Sequence, residues 1–225
     1  MTAIEEQILD CFPSGSYALS SLLRLVDIVE DRQVPTAAVE CRVQPRLLIN
    51  PDFVNCHANT PERLLMLVMH ELHHVLLGHT TLFKTVTKTD NFVFDCVINA
   101  LISRMFPQDE HLSFLTDFYS DRSFPECLLR PPSRWNGTEV RVLPVAIRKL
   151  HGKHQAEVTE VYQSLYSETG ITYQEVHDVL PRLAGDGAGH IPLLGGHDRG
   201  GATDGDLENQ SPILFDIVRS IVEEW

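Results

Sequence analysis

The sequence predicts an α+β fold, rich in helix, in which a small sheet braces one deeply buried helix. Three observations carry that reading. Residues 61–77 are apolar almost all round a helical wheel, the mark of a helix inside a core. Residues 37–49 alternate as a strand does, with Val39, Cys41 and Val43 apolar between charged or polar neighbours, and Leu47, Leu48 and Ile49 then follow without a break. Most other segments place apolar residues at helical spacing. The chain has 225 residues, 43% of them hydrophobic and 22% charged, ordinary proportions for a globular protein with a substantial core.

Taken in order, residues 4–11 and 17–30 read as two helices separated by Pro13 and Gly15. Residues 37–54 read as the small sheet. Within it, residues 39–49 offer either a brace for the buried helix or an edge on which an extended chain adds itself by main-chain hydrogen bonds. After the buried helix, residues 80–89 form a polar, β-branched connection, and Asp90 caps a second helix that Pro107 ends. Periodicity is then lost as far as Gly137, where Pro125, Pro131 and Pro132 mark turns. Phe114, Phe118, Tyr119, Phe124 and Trp135 in that stretch read as anchors of an irregular loop on the core. Residues 139–150 suit a strand or a short helix, and residues 154–167 a helix. Thr172 and Glu175 have capping-box spacing for a helix over residues 173–180. The domain therefore spans residues 1–184. Residues 185–210, with eight glycines, form a flexible segment or lid, and residues 211–225 a docking helix.

The buried helix carries His70, Glu71, Leu72, His73 and His74, an H-E-x-x-H array. A helix turns about 100° per residue, so His70 and His74 lie about 40° apart on one face and can share one ion. Glu71, about 60° from His74, is placed to hold a water on that ion and take its proton. Both helix ends are marked. Thr60 suits the N-cap, Pro61 the first helical position, Glu62 the positive end and Gly78 the stop. With 11 His and 16 Glu in the chain, such an array arises by chance in roughly 4% of sequences. The pattern alone is therefore weak, and its setting decides. Imidazoles and a carboxylate inside an apolar helix need compensation, which a metal supplies, and the array then points to metal-assisted hydrolysis. His73 lies on the side of His70 away from Glu71 and falls outside the array.

A catalytic zinc site commonly takes three protein ligands and leaves one position open. Asp95 is the first candidate for the third ligand, because it shares a face with Asn99 on an otherwise apolar helix. His79 is the second. In a continued helix it lies about 180° from His70, and only a sharp turn at Gly78 brings it back; its other role is a helix-end histidine at the negative pole. His190 and His197, in the glycine-rich segment, are more distant candidates.

HELHHVLLGH followed by NFVFDCVINALI resembles the metallopeptidase domain of a zincin-like family in which a von Willebrand A-like domain usually follows. The likeness covers residues 47–106. In that family a strand and an asparagine-bearing turn, here RLLINPDFV, lead into the H-E-x-x-H helix, and an aspartate-containing helix comes next. Asp95 lies 21 residues after His74, a spacing similar to that of gluzincins. The resemblance implies a zincin-like fold and one Zn2+ held by His70, His74 and Asp95. It also implies Glu71 as the catalytic base and a peptide or protein substrate. For partners it implies a MoxR-type AAA ATPase or a separate von Willebrand A-like protein, since the chain has no D-x-S-x-S motif and resembles the peptidase half alone. The competing expectation is an inactive, zinc-stabilised binding module or adaptor for such an ATPase.

A formal net charge of −13 argues against non-specific binding to nucleic acid or to an anionic membrane surface. Residues 1–11 lack the pattern of a signal peptide, and the longest apolar runs are shorter than a membrane span, so a cytoplasmic protein is expected. Cys11, Cys41, Cys56, Cys96 and Cys127 are odd in number and scattered, with no C-x-x-C. They are expected to be reduced and buried.

Overall fold

The computed structural model describes residues 3–12, 23, 26–40, 46–77, 87–168, 170, 171, 173–184, 193 and 194. Among them the fold is α+β, helix-rich with one three-stranded mixed sheet, as the sequence predicts. The chain divides into two compact units, one containing Met1–Thr85 and the other Val86–Leu193. No helix among the described residues is long and apolar enough to cross a membrane.

In the first unit, α1 (Ala3–Cys11) buries Ile4 and Ile8. The sheet contains β1 (Asp27–Glu30), β2 (Ala37–Glu40) and β3 (Arg46–Ile49), with β3 in the middle, parallel to β1 and antiparallel to β2. The register sets Ala37 opposite Ile49 and Val39 opposite Leu47 on one face. Ala38 opposes Leu48 on the other, where Val34 and Val29 join them in a small apolar cluster. Arg46 grips Glu40 across the β2–β3 pair, its Nε 2.9 Å from Oε2.

Strand β1 corrects the end of the helix expected over residues 17–30, in which Leu23 is helical and the others before Val26 lie outside the described residues. Ile28 and Val29 are β-branched, and pairing with β3 outweighs their local helical spacing. The expected strand likewise stops early, because α2 (Pro51–His57) begins where the chain was read as extended to Val54. The Asn50 side-chain oxygen accepts the Asp52 N–H at 2.9 Å, with proline at the first helical position, so the helix start is written in Asn50-Pro51. The Asn50 amide also donates to the Val34 carbonyl at 2.9 Å, tying this start to the β1–β2 connection.

Helix α3 (Pro61–Leu76) is the buried helix of the sequence reading. Thr60 Oγ1 accepts the Arg63 N–H at 3.3 Å, and every residue from Leu64 to Val75 is buried. It packs against α1 and against β2, whose Ala37 is fully buried.

In the second unit, α4 (Lys88–Met105) is central, packing against α5 (Asp109–Phe118), a 3₁₀ helix (Glu126–Leu129), α7 (Gly152–Leu165) and α8 (Tyr173–Ala184). Helix α4 starts two residues before the expected cap, at Lys88. Thr87 is the N-cap and Asp90 the third helical residue of a reciprocal capping box. Helix α5 and the 3₁₀ helix occupy a stretch expected to be irregular. Phe114, Tyr119 and Trp135 there are buried, consistent with their reading as core anchors. Residues 139–150 yield only the short α6 (Val145–Arg148). Helix α8 runs past Pro181, where the sequence reading had ended it; the proline forgoes the one backbone bond to the His177 carbonyl and the helix continues.

Gly170, at φ +68°, shows why a glycine is needed there. A Cβ would come within 2.8 Å of the Arg104 guanidinium, whose Nη1 donates to the Leu165 carbonyl at 2.6 Å. Of the cysteines, Cys96 and Cys127 are buried, Cys11 is half-buried and Cys56 is exposed, so the expectation of buried thiols fails at Cys56. Cys41, Thr172, the connection over residues 80–86, and residues 185–192 and 195–225 lie outside the described residues.

Candidate metal centre

Helix α3 brings three histidines and a glutamate into the core within two turns. His70, Glu71, His73 and His74 are each at most 4% exposed. The rings of His70 and His74 meet edge to face, with their Nε2 atoms 3.2 Å apart. At that separation the two nitrogens share either one proton or one ion, because both cannot point a hydrogen at the other. Two imidazoles bound to a tetrahedral zinc at the usual bond length place their nitrogens about 3.3 Å apart. The pair therefore has the spacing that two imidazole ligands of zinc adopt.

His73 is engaged differently. Its Nδ1 donates to the Met69 carbonyl of its own helix at 2.7 Å, and burial pulls its pKa down to about 4, so the ring is neutral. It stands apart from the array, as the helical wheel predicts. Glu71 follows His70 directly, with Oε1 shielded from water.

Asp95, on α4, is fully buried, with both carboxylate oxygens shielded from water. His70 and His74 each offer a ring nitrogen and Asp95 a carboxylate oxygen, the kinds of ligand atom that zinc takes. Asn99, one turn on, uses its amide to donate to the Leu129 carbonyl at 3.0 Å, which ties α4 to the 3₁₀ helix. Burial raises the Cys96 thiol well above its ordinary pKa and pushes Cys127 up to about 12, which leaves both protonated and poor metal ligands. His79, His190 and His197 lie outside the described residues.

Sequence reasoning did not anticipate the partner of Asp90. Its Oδ2 accepts the Thr87 N–H at 2.8 Å and the Thr87 hydroxyl at 2.7 Å, while its Oδ1 accepts from His177 Nε2 at 3.0 Å. The Thr-x-x-Asp spacing was a signal for the cap, but nothing local could have supplied His177, 87 residues away.

No family model, no curated protein and no solved structure matches this chain.

Proposed function

We propose that this chain is a zinc-dependent metallopeptidase with a zincin-like catalytic helix. The observation that carries the reading is the buried pair of Nε2 atoms 3.2 Å apart, with Glu71 beside them on the same helix. His70 and His74 would hold the ion through their ring nitrogens and Asp95 through a carboxylate oxygen; two imidazoles and one carboxylate are a donor set that catalytic zinc uses, and zinc held there would lower the pKa of water and polarise a carbonyl. Glu71 takes the proton of the attacking water and returns it to the leaving amine nitrogen. A purely structural ion has no need of a base beside it, so Glu71 favours an enzyme over an adaptor.

The substrate is a peptide in extended form. β3 is paired on both sides and cannot accept another strand, which narrows the expected edge from residues 39–49 to β2. β2 is an outer strand among the described residues and packs beside α3, so a peptide added there runs next to the H-E-x-x-H helix.

Metal analysis and hydrolysis of a fluorogenic peptide library, on wild type and Glu71→Gln, test the proposal. The expected result is about one zinc per chain in both, with turnover in the variant lower by a factor of about 10² to 10⁴. Hydrolysis retained in Glu71→Gln removes the mechanism. A wild type that takes up zinc but cleaves nothing leaves the zinc-stabilised binding module as the reading, and one that takes up no zinc removes both.

A further inference from the structure

A basic cluster in the Val86–Leu193 unit takes no part in the chemistry proposed above. Residues 121–154 hold seven of the chain's 18 Lys and Arg but only three of its 31 Asp and Glu, so the stretch is net positive in a chain of formal charge −13. Folding gathers part of it. The Asp121 carbonyl accepts the Ala146 N–H at 2.8 Å, the Phe124 ring meets His154 edge-on with centroids 5.8 Å apart, and Gln155 Nε2 donates to the Ile147 and Arg148 carbonyls, both at 3.4 Å. These ties bring the chain around Asp121, the end of α6 and the start of α7 to one place. Arg122, Arg148, Lys149, His151 and Lys153 are exposed around it, and His154 is half-buried.

Two carboxylates touch the cluster. Asp121 lies 3.9 Å from Arg122 and Glu157 3.5 Å from Lys153. Exposed pairs of this kind are weak, and an outside carboxylate can replace them at little cost. Arg148 and Lys149 have no ion pair among the described residues.

We propose that this cluster is a docking surface for an acidic segment of another polypeptide. The rest of the chain decides the kind of partner. Outside residues 121–154 it carries 28 Asp and Glu against 11 Lys and Arg, which repels a long polyanion such as nucleic acid. A short run of Asp and Glu contacts the cluster within one Debye length, about 8 Å at physiological salt, and feels little of that repulsion.

Anisotropy of the full chain with a labelled oligoglutamate peptide tests this at low salt, beside oligoglutamine of the same length and a single-stranded DNA oligonucleotide. Oligoglutamate is expected to bind most tightly and to weaken steeply as salt rises. The triple variant Arg148→Glu, Lys149→Glu, Lys153→Glu is expected to bind it about tenfold more weakly or worse, with an unchanged circular dichroism spectrum. Should the triple variant fail to fold, Lys149→Glu alone is expected to weaken binding by about threefold. Arg32→Glu, in the other unit, is expected to leave binding unchanged. Oligoglutamate binding no tighter than oligoglutamine, or binding that survives charge reversal in folded variants, overturns the proposal. So does an oligonucleotide that binds more tightly than the peptide and is lost in the same variants, an outcome that assigns the surface to nucleic acid.

Discussion

Helices α3 and α4 both bury polar side chains among apolar ones, yet they settle them in two ways. On α4 the Asn99 amide reaches a backbone carbonyl, that of Leu129, and on α3 His73 does the same with Met69. In each a donor meets an acceptor on the backbone. His70 and His74 instead present nitrogen to nitrogen at 3.2 Å. Two lone-pair atoms facing one another call for a proton or a cation between them. Burial of a polar group is thus poor evidence of function by itself; the chemistry of the atom it faces is what separates a fold-holding residue from a candidate ligand.

The sharpest way to break that distinction is to remove one residue of each kind. His74→Ala and Asp95→Ala are expected to lose zinc, with affinity down by about a hundredfold or more, since each withdraws one of the three proposed protein ligands. His73→Leu is expected to retain about one zinc per chain, because its ring is neutral and occupied by the Met69 carbonyl. Elemental analysis after dialysis against a weak chelator reads all three. Loss of zinc from His73→Leu alone would erase the difference between the two kinds.

A smaller effect is expected at Asn99. Asn99→Leu keeps the branched heavy-atom shape but takes away the donor to the Leu129 carbonyl, in a residue that is fully buried. A buried acceptor left without its donor costs about 1–3 kcal/mol. The urea midpoint should fall accordingly while zinc content stays the same. Zinc loss with unchanged stability would move Asn99 into the metal site and sharpen the comparison in the other direction.

The H-E-x-x-H array was legible because it is local. Four residues on one helix, with Thr60 and Pro61 marking its start, need only the helical period to be placed, and Asp95 and Asn99 follow from the same period on the next helix. What failed depended on pairing or on capping chemistry read a step late. Asp27–Glu30 is a strand only because β3 lies beside it, and residues 17–30 alone have helical spacing. Pro51 was read as strand although Asn-Pro is a helix start, and α4 was begun at Asp90 when the Thr87-x-x-Asp90 spacing places the cap three residues earlier. The segment around α5 was read as irregular from its lost periodicity and from Pro125, Pro131 and Pro132, yet those prolines come after the helix and do not interrupt it.

Asp90 and Asp95 carry the comparison down to two carboxylates of one helix, five residues apart. Asp90 is half-buried and ringed by donors: the Thr87 N–H and hydroxyl on one oxygen and His177 on the other. Burial alone raises its pKa, but the bonds from Thr87 and His177 outweigh this and hold the carboxyl below its ordinary value of 3.8. The sign of the pH dependence follows. With the folded-state pKa below the unfolded one, the unfolded chain binds the proton first as pH falls. The contribution of Asp90 is therefore complete above about pH 4 and is lost as pH falls through its lowered folded value. Asp90→Ala removes the carboxylate side of the capping box and the bond to His177 while the backbone N–H to Thr87 Oγ1 stays, at a cost of about 1 kcal/mol at neutral pH. Urea midpoints of wild type and variant should differ at pH 7 and converge below pH 4, with zinc content equal in both at pH 7. A gap that persists unchanged into acid would show that Asp90 acts through packing and not through its charge.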